Sequence, residues 1–169
     1  MRIAAAAVTA VLVLGLSGCG SDEEGQAREA LATSLLASNA DGTFEVSQEE
    51  ADCVADGMVE EIGVDKLIDY GLLTEDLEAR DESLENQELE QEDADSAATV
   101  FVDCVDVQAL LTDSIAQGLG GDVDPELASC IEERLTDEVV RDFLATVFTG
   151  DQAAATQAVT QELSSCLTA

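Results

Sequence analysis

Five cysteines and 38 carboxylates are the residues of this chain best suited to chemistry, and there is no histidine to work with them. Without an imidazole neither a Ser-His nor a Cys-His pair can generate a nucleophile, and the His-rich zinc sites of hydrolases are excluded too. No Cys-x-x-Cys pair occurs, which leaves thiolate catalysis and Cys-only zinc binding without support. Gly120-Gly121 lacks the Lys and Ser/Thr of a phosphate-binding loop. Two carboxylates suffice for glycosidase-type acid and base work. A sugar cleft also offers Trp or Tyr platforms, however, and this chain has no Trp and one Tyr, Tyr70, which the pattern below places on a core face. No catalytic residue, metal site or cofactor is therefore expected.

The cysteines divide into one and four. Arg2 is followed by an apolar run from Ile3 to Leu14, then by the small residues Gly15, Ser17 and Gly18 ahead of Cys19. That is the layout of an export signal. The run is shorter than the roughly 20 residues a bilayer-spanning helix needs. Leu16-Ser17-Gly18-Cys19 resembles the lipobox of bacterial lipoproteins. The resemblance implies that Cys19 is lipidated and that residues 1–18 are removed, leaving an extracytoplasmic protein anchored to the cell membrane. Two acyl chains, at about 0.8 kcal/mol per buried methylene, give stable anchoring where one is marginal. Residues 19–26 are small or acidic and are expected to be a tether.

After Cys19 there are 38 acidic and five basic residues, a formal charge of −33. Such a surface repels nucleic acid and anionic lipid headgroups. So acidic a chain is often disordered, but 46% of its residues are hydrophobic and recur with helical spacing, so a folded domain is expected. Scarce aromatics, a single Pro and abundant Ala and Leu favour an all-α fold.

Cys53, Cys104, Cys130 and Cys166 remain for two disulfides in an oxidising compartment, and an internal comparison selects the pairing. Ser47-Gln48-Glu49-Glu50 is a capping box, and Asp124-Pro125-Glu126 is an N-cap followed by Pro at the first helical position; each cap lies six residues ahead of its cysteine. Beyond Cys53 and Cys130 the apolar positions agree: Val54 with Ile131, Met58 with Leu135, Ile62 with Val139, Leu67 with Leu144, Tyr70 with Val147. Phe101, Cys104 and Val105 likewise match Leu163, Cys166 and Leu167. The expectation is two tandem similar helical units, 27–105 and 107–168, each closed by one disulfide: Cys53 with Cys104, Cys130 with Cys166. Cys53 with Cys166 and Cys104 with Cys130 is the alternative. A lipobox followed by capped helices each bearing one Cys resembles uncharacterised lipoproteins and secreted proteins of high-GC Gram-positive bacteria, a resemblance that implies no activity.

Three further segments bear on binding. Residues 75–95 hold eleven carboxylates against Arg80, with Leu77, Leu84 and Leu89 too sparse for an apolar stripe, so a solvated insertion outside the core is expected. Asn39-Ala40-Asp41-Gly42-Thr43-Phe44 resembles the middle of an EF-hand loop, but Ala37 and Gln48 stand where the end ligands belong, which favours a simple turn into the Ser47 cap. Arg134 and Arg141 would share a helix face if the helix were continuous, pairing with carboxylates such as Glu138. The functional expectation is a non-enzymatic envelope lipoprotein, a binding or adaptor protein for a basic or cell-wall-associated partner. The alternatives are a weak divalent-cation buffer or structural surface protein and, less favoured, a carboxylate-based hydrolase.

Overall fold

The computed structural model describes residues 19–38, 46–80, 88–118 and 124–167. Eight helices account for most of them: α1 (Cys19–Ser38), α2 (Gln48–Glu61), α3 (Val64–Asp69), α4 (Gln91–Cys104), α5 (Val107–Gly118), α6 (Pro125–Arg134), α7 (Asp137–Phe148) and α8 (Gln152–Leu167). The protein is all-helical, with no strand among the described residues, and it carries the two expected bridges. Cys53 joins Cys104 with Cα atoms 5.6 Å apart, and Cys130 joins Cys166 at 5.7 Å. Residues 1–18, read as an export signal, residues 39–44, expected as a turn, and Gly120-Gly121 lie outside the described residues.

Short polar side chains start most of the helices. Ser47 and Glu50 form the expected capping box on α2: the Ser47 Oγ accepts from the Glu50 N–H at 3.3 Å, and the Glu50 carboxylate accepts from the Ser47 N–H at 2.7 Å. Asp124 accepts from the Glu126 N–H ahead of Pro125 on α6. Asp106, Thr136 and Asp151 do the same for α5, α7 and α8, accepting from Ala109, Val139 and Ala154. Each cap satisfies an orphan N–H, and the carboxylates among them also face the positive end of the helix dipole. Gly71 and Gly150, both at positive φ, end α3 and α7 alike: Leu72 and Asp151 donate back to Leu67 and Thr146, and each Gly donates to the residue three before it. These are Schellman turns, and glycine enters the left-handed region without a Cβ penalty.

The helices pack in the order α1, α2, α4, α7, α8, with α6 on α8 and α5 on α6. One core runs through both halves, from Val54, Met58 and Leu67 across Ala94, Ala97 and Ala98 to Ile131, Leu135, Val140 and Phe148. The α4–α7 contact is the seam, where the Phe101 and Phe148 rings meet at 5.5 Å. The two halves therefore share an interior. Between α2 and α4 the backbones approach at Gly57, where an added Cβ would fall 2.6 Å from Val100 Cγ1.

Each half has four helices with its cysteines on the second and fourth. They differ in where the second helix stops. α2 runs unbroken past Met58, whereas α6 ends at Leu135, the position matched with Met58, because Thr136 caps a new helix. Arg134 and Arg141 consequently lie on different helices, α6 and α7, and neither is within 4 Å of a carboxylate among the described residues. The continuous helix that a shared face required is broken by the cap at Thr136, which also parts Arg134 from Glu138; Arg141 shares α7 with Glu138 but does not pair with it.

Two other expectations are corrected. The 75–95 segment, described over 75–80 and 88–95, is not wholly outside the core. Leu73 and Ala79 form an isolated antiparallel bridge that folds the chain back, with Leu73 fully buried and Ala79 against the core. Leu89 is buried and donates its N–H to the Phe148 carbonyl at 2.8 Å, and Asp93 and Ala94 are buried in α4. A lone leucine suffices here because Leu89 fills a single gap in the core rather than building a helical stripe. Residues 19–26, expected as a tether, are helical and form the opening turns of α1; residues 22–26 are exposed and Ala27 is buried.

Candidate functional site

The most organised polar group in the described structure is Lys66, Tyr70 and Asp93. Lys66 sits on α3, Tyr70 caps that helix, and Asp93 occupies the first turn of α4. The Lys66 ammonium donates to both Asp93 oxygens, at 2.7 and 2.9 Å, and the Tyr70 hydroxyl donates to Asp93 Oδ2 at 2.5 Å. The Tyr70 oxygen in turn accepts from the Glu90 N–H at 3.2 Å. Asp93 is only 3% exposed, and it is the buried charge that the other groups answer.

The titration of the three follows from this geometry. Burial pushes the Asp93 carboxyl up, but hydrogen bonds from Lys66 and Tyr70 and the Lys66 charge together hold it below the ordinary carboxylate range. The bond to Asp93 raises Lys66. Burial, then the bond to Asp93, raises Tyr70. At neutral pH these shifts leave an ionised aspartate, a charged lysine and a protonated tyrosine. None is poised to exchange a proton near pH 7, as an acid or base catalyst would be. Because the Lys66 side chain is half exposed, the pair lies at the edge of the core with water beside it. The arrangement is a clamp: it fastens the end of α3 to the start of α4 and so closes the excursion between them.

Glu50 is the other displaced carboxyl among the described residues, lowered by the Ser47 side chain and then the Ser47 backbone. Arg28 on α1 reaches Glu24 at 3.3 Å and Asp56 on α2 at 3.1 Å, tying those helices together. Its Nε is close to Asp56 but misaligned for a hydrogen bond, so the contact is chiefly ionic. Two shallow depressions, about 260 and 310 Å³, lie beside α5 and share Asp106 and Gln108. Asp103 and Asp137 border the first, Asp113 and Glu132 the second. No three Cys, Asp or Glu side chains converge on a point that could hold a metal ion among the described residues.

The acidic charge is unevenly spread. Residues 19–106 contain 27 of the 38 carboxylates with three basic residues, and α8 contains a single acidic residue, Glu162. Of the site residues named from sequence, the four bridging cysteines are brought together in their expected pairs. Cys19 is at the first position of α1, and its side chain lies outside what is described. Sequence reasoning missed the clamp. The signal available was rarity: Lys66 is one of five cations after Cys19 and Tyr70 is the sole tyrosine. Asp93 carried none, being one carboxylate in a run of them.

The chain matches no family model, and no curated protein and no solved structure matches it. Among the described residues no helix is long and apolar enough to cross a membrane.

Proposed function

We propose that this protein is a non-enzymatic lipoprotein of the bacterial cell envelope, anchored outside the cytoplasmic membrane through lipidated Cys19, and that it acts as an adaptor for a basic or cell-wall-associated partner. The observation that carries the reading is the export-type N-terminus ending in Leu16-Ser17-Gly18-Cys19 ahead of a disulfide-closed domain with a formal charge of −33. A charge of that size keeps copies apart, repels polyanions and draws cationic surfaces from a Debye length away. The one buried carboxylate among the described residues is committed to Lys66 and Tyr70, which favours a scaffold over an acid-base centre. The two halves are further proposed to be copies of one four-helix unit, on the strength of their matched caps and cysteines.

The test has two arms. Replacing Cys19 with Ala should abolish incorporation of labelled fatty acid and release the protein from the membrane fraction; unchanged labelling would overturn the anchor. Cross-linking on intact cells should then compare wild type with a protein carrying Asp81→Asn, Glu82→Gln, Glu85→Gln and Glu88→Gln. Removing residues 75–95 outright would not serve, because it takes Leu89, Asp93 and Ala94 from the core. A dominant basic partner weakened by neutralisation supports the adaptor; no reproducible partner in either form overturns it in favour of a structural or cation-buffering protein.

A further inference from the structure

The two disulfides are not equally placed. Cys53 is exposed on α2 and Cys104 partly exposed at the end of α4, whereas Cys130 is partly exposed and Cys166 is 7% exposed. Cys104 also borders the depression of about 260 Å³, which leaves room beside the bridge for an incoming group. Exchange begins with a thiolate reaching one sulfur, so access decides which bridge can react in the folded protein. The most exposed of the four bridging cysteines is Cys53, which makes its sulfur the point of attack.

Charge then decides which thiolate arrives. Glu49, Glu50 and Asp56 lie three or four residues from Cys53 on α2, and Asp52 adjoins it. Asp103 adjoins Cys104, and Asp106 and Asp137 border the same depression. The nearby cation is Arg28, already occupied by Glu24 and Asp56. A thiolate bearing a second negative charge is repelled here, and one offset by an ammonium is not.

From this placement we infer that Cys53–Cys104 is a thiol–disulfide exchange site, open to uncharged or cationic dithiols and closed to anionic thiols, while Cys130–Cys166 is left intact. The thiolate of the dithiol bonds to Cys53 Sγ as the Cys53–Cys104 bond breaks; the electron pair leaves on Cys104, which takes a proton from water. The second thiol of the reagent, deprotonated, then displaces Cys53, which is protonated in its turn. The protein ends as two thiols and the reagent as its cyclic or intramolecular disulfide. The natural counterpart is a dithiol oxidoreductase whose surface around the reactive cysteine is neutral or basic. The contact of α2 with α4 at Gly57 and Val100 and the Lys66–Asp93 clamp are made without the bridge and support the fold when it opens.

The experiment is timed reduction of the intact chain with dithiothreitol under native conditions, trapping by alkylation and peptide mapping. Cys53 and Cys104 should be trapped at least about tenfold faster than Cys130 and Cys166, since access controls exchange. A common rate for all four cysteines, as when reduction waits on global unfolding, would overturn the inference. Cysteamine and 2-mercaptoethanesulfonate, compared at equal thiolate concentration and low salt, should differ about tenfold in favour of cysteamine, with the gap closing near about 0.5 M NaCl. The Asp52→Asn, Asp103→Asn double variant should speed the sulfonate reaction. Equal rates for the two reagents at low salt would overturn the charge selectivity.

Discussion

Lys66 and Asp93 are 27 residues apart in sequence, yet Lys66 Nζ lies 2.7 Å from Asp93 Oδ1, and the chain between them leaves α3 and returns to begin α4. That single contact, with Tyr70 beside it, turns an acidic excursion into part of the fold. Leu89 extends the effect across the seam through its bond to the Phe148 carbonyl, so the start of α4 is fastened to both halves.

Asp93→Asn is expected to destabilise the protein by about 1–3 kcal/mol at pH 7, the usual cost of disturbing hydrogen bonds to a buried charged group. The pH dependence follows from the direction of each shift. Asp93 is lowered, so its contribution is complete above the ordinary aspartate value of 3.8 and is lost as pH falls through its lower folded value. Lys66 is raised, so its contribution is complete below 10.5 and is lost only as pH rises through its higher folded value. Urea denaturation of wild type and D93N should show a constant gap through the neutral range that closes at strongly acid pH. Equal stability at pH 7 would deny the clamp any part in holding the fold.

Gly57→Ala tests the closest helix approach. Its methyl would fall 2.6 Å from Val100 Cγ1, and valine, branched at Cβ, cannot swing clear within its helix. The expected loss is about 1–3 kcal/mol, typical of overpacking in a tight core. Val100→Ala in the same chain should recover part of it. Denaturation of the single and double variants supplies the coupling, and purely additive effects would contradict a direct contact between the two positions.

Much of this architecture was legible in the sequence. Ser47 and Asp124 announced helix starts through local side-chain chemistry, and matched positions around the cysteines selected the observed bridges. Long-range polar geometry was not legible. Nothing local distinguishes Asp93 from Glu92 or Asp95; only the return of α4 to Lys66 does. The burial of Leu89 escaped notice for a related reason, since a leucine that fills one gap leaves no periodic trace. Thr136 was different: Thr-Asp-Glu ahead of two valines is a readable cap, and matching Leu135 to Met58, which lies inside α2, hid it. The glycines ending α3 and α7 were readable in the same way, standing two residues out of register in the two halves.

Thr136→Ala should separate α6 from α7 less cleanly and cost about 1 kcal/mol, the usual value of an N-cap hydroxyl. Gly150→Ala should cost about 1 kcal/mol for placing a Cβ at φ +84, while the nearby Glu88 side chain, exposed and flexible, moves aside. Thermal unfolding of each variant checks both figures. A neutral G150A would mean that the turn after α7 does not hold its left-handed conformation in solution.

Self-repulsion sets the last expectation. With 38 carboxylates and five cations after Cys19, the folded state concentrates like charge that the unfolded chain spreads out. Raising NaCl from about 0.02 to about 0.5 M shortens the Debye length several-fold. It screens the repulsion over the whole surface, while the largely buried Asp93 keeps its partners at contact distance. The melting temperature should therefore rise with salt, and more steeply in wild type than in a variant with Asp52, Glu60, Glu61 and Asp65 converted to their amides. The opposite trend, a melting temperature that falls as salt is added, would mean that surface ion pairs such as Arg28 with Asp56 outweigh the net charge. The Arg28→Ala variant would then locate that support, because it removes the ion pair between α1 and α2 while leaving their apolar packing in place.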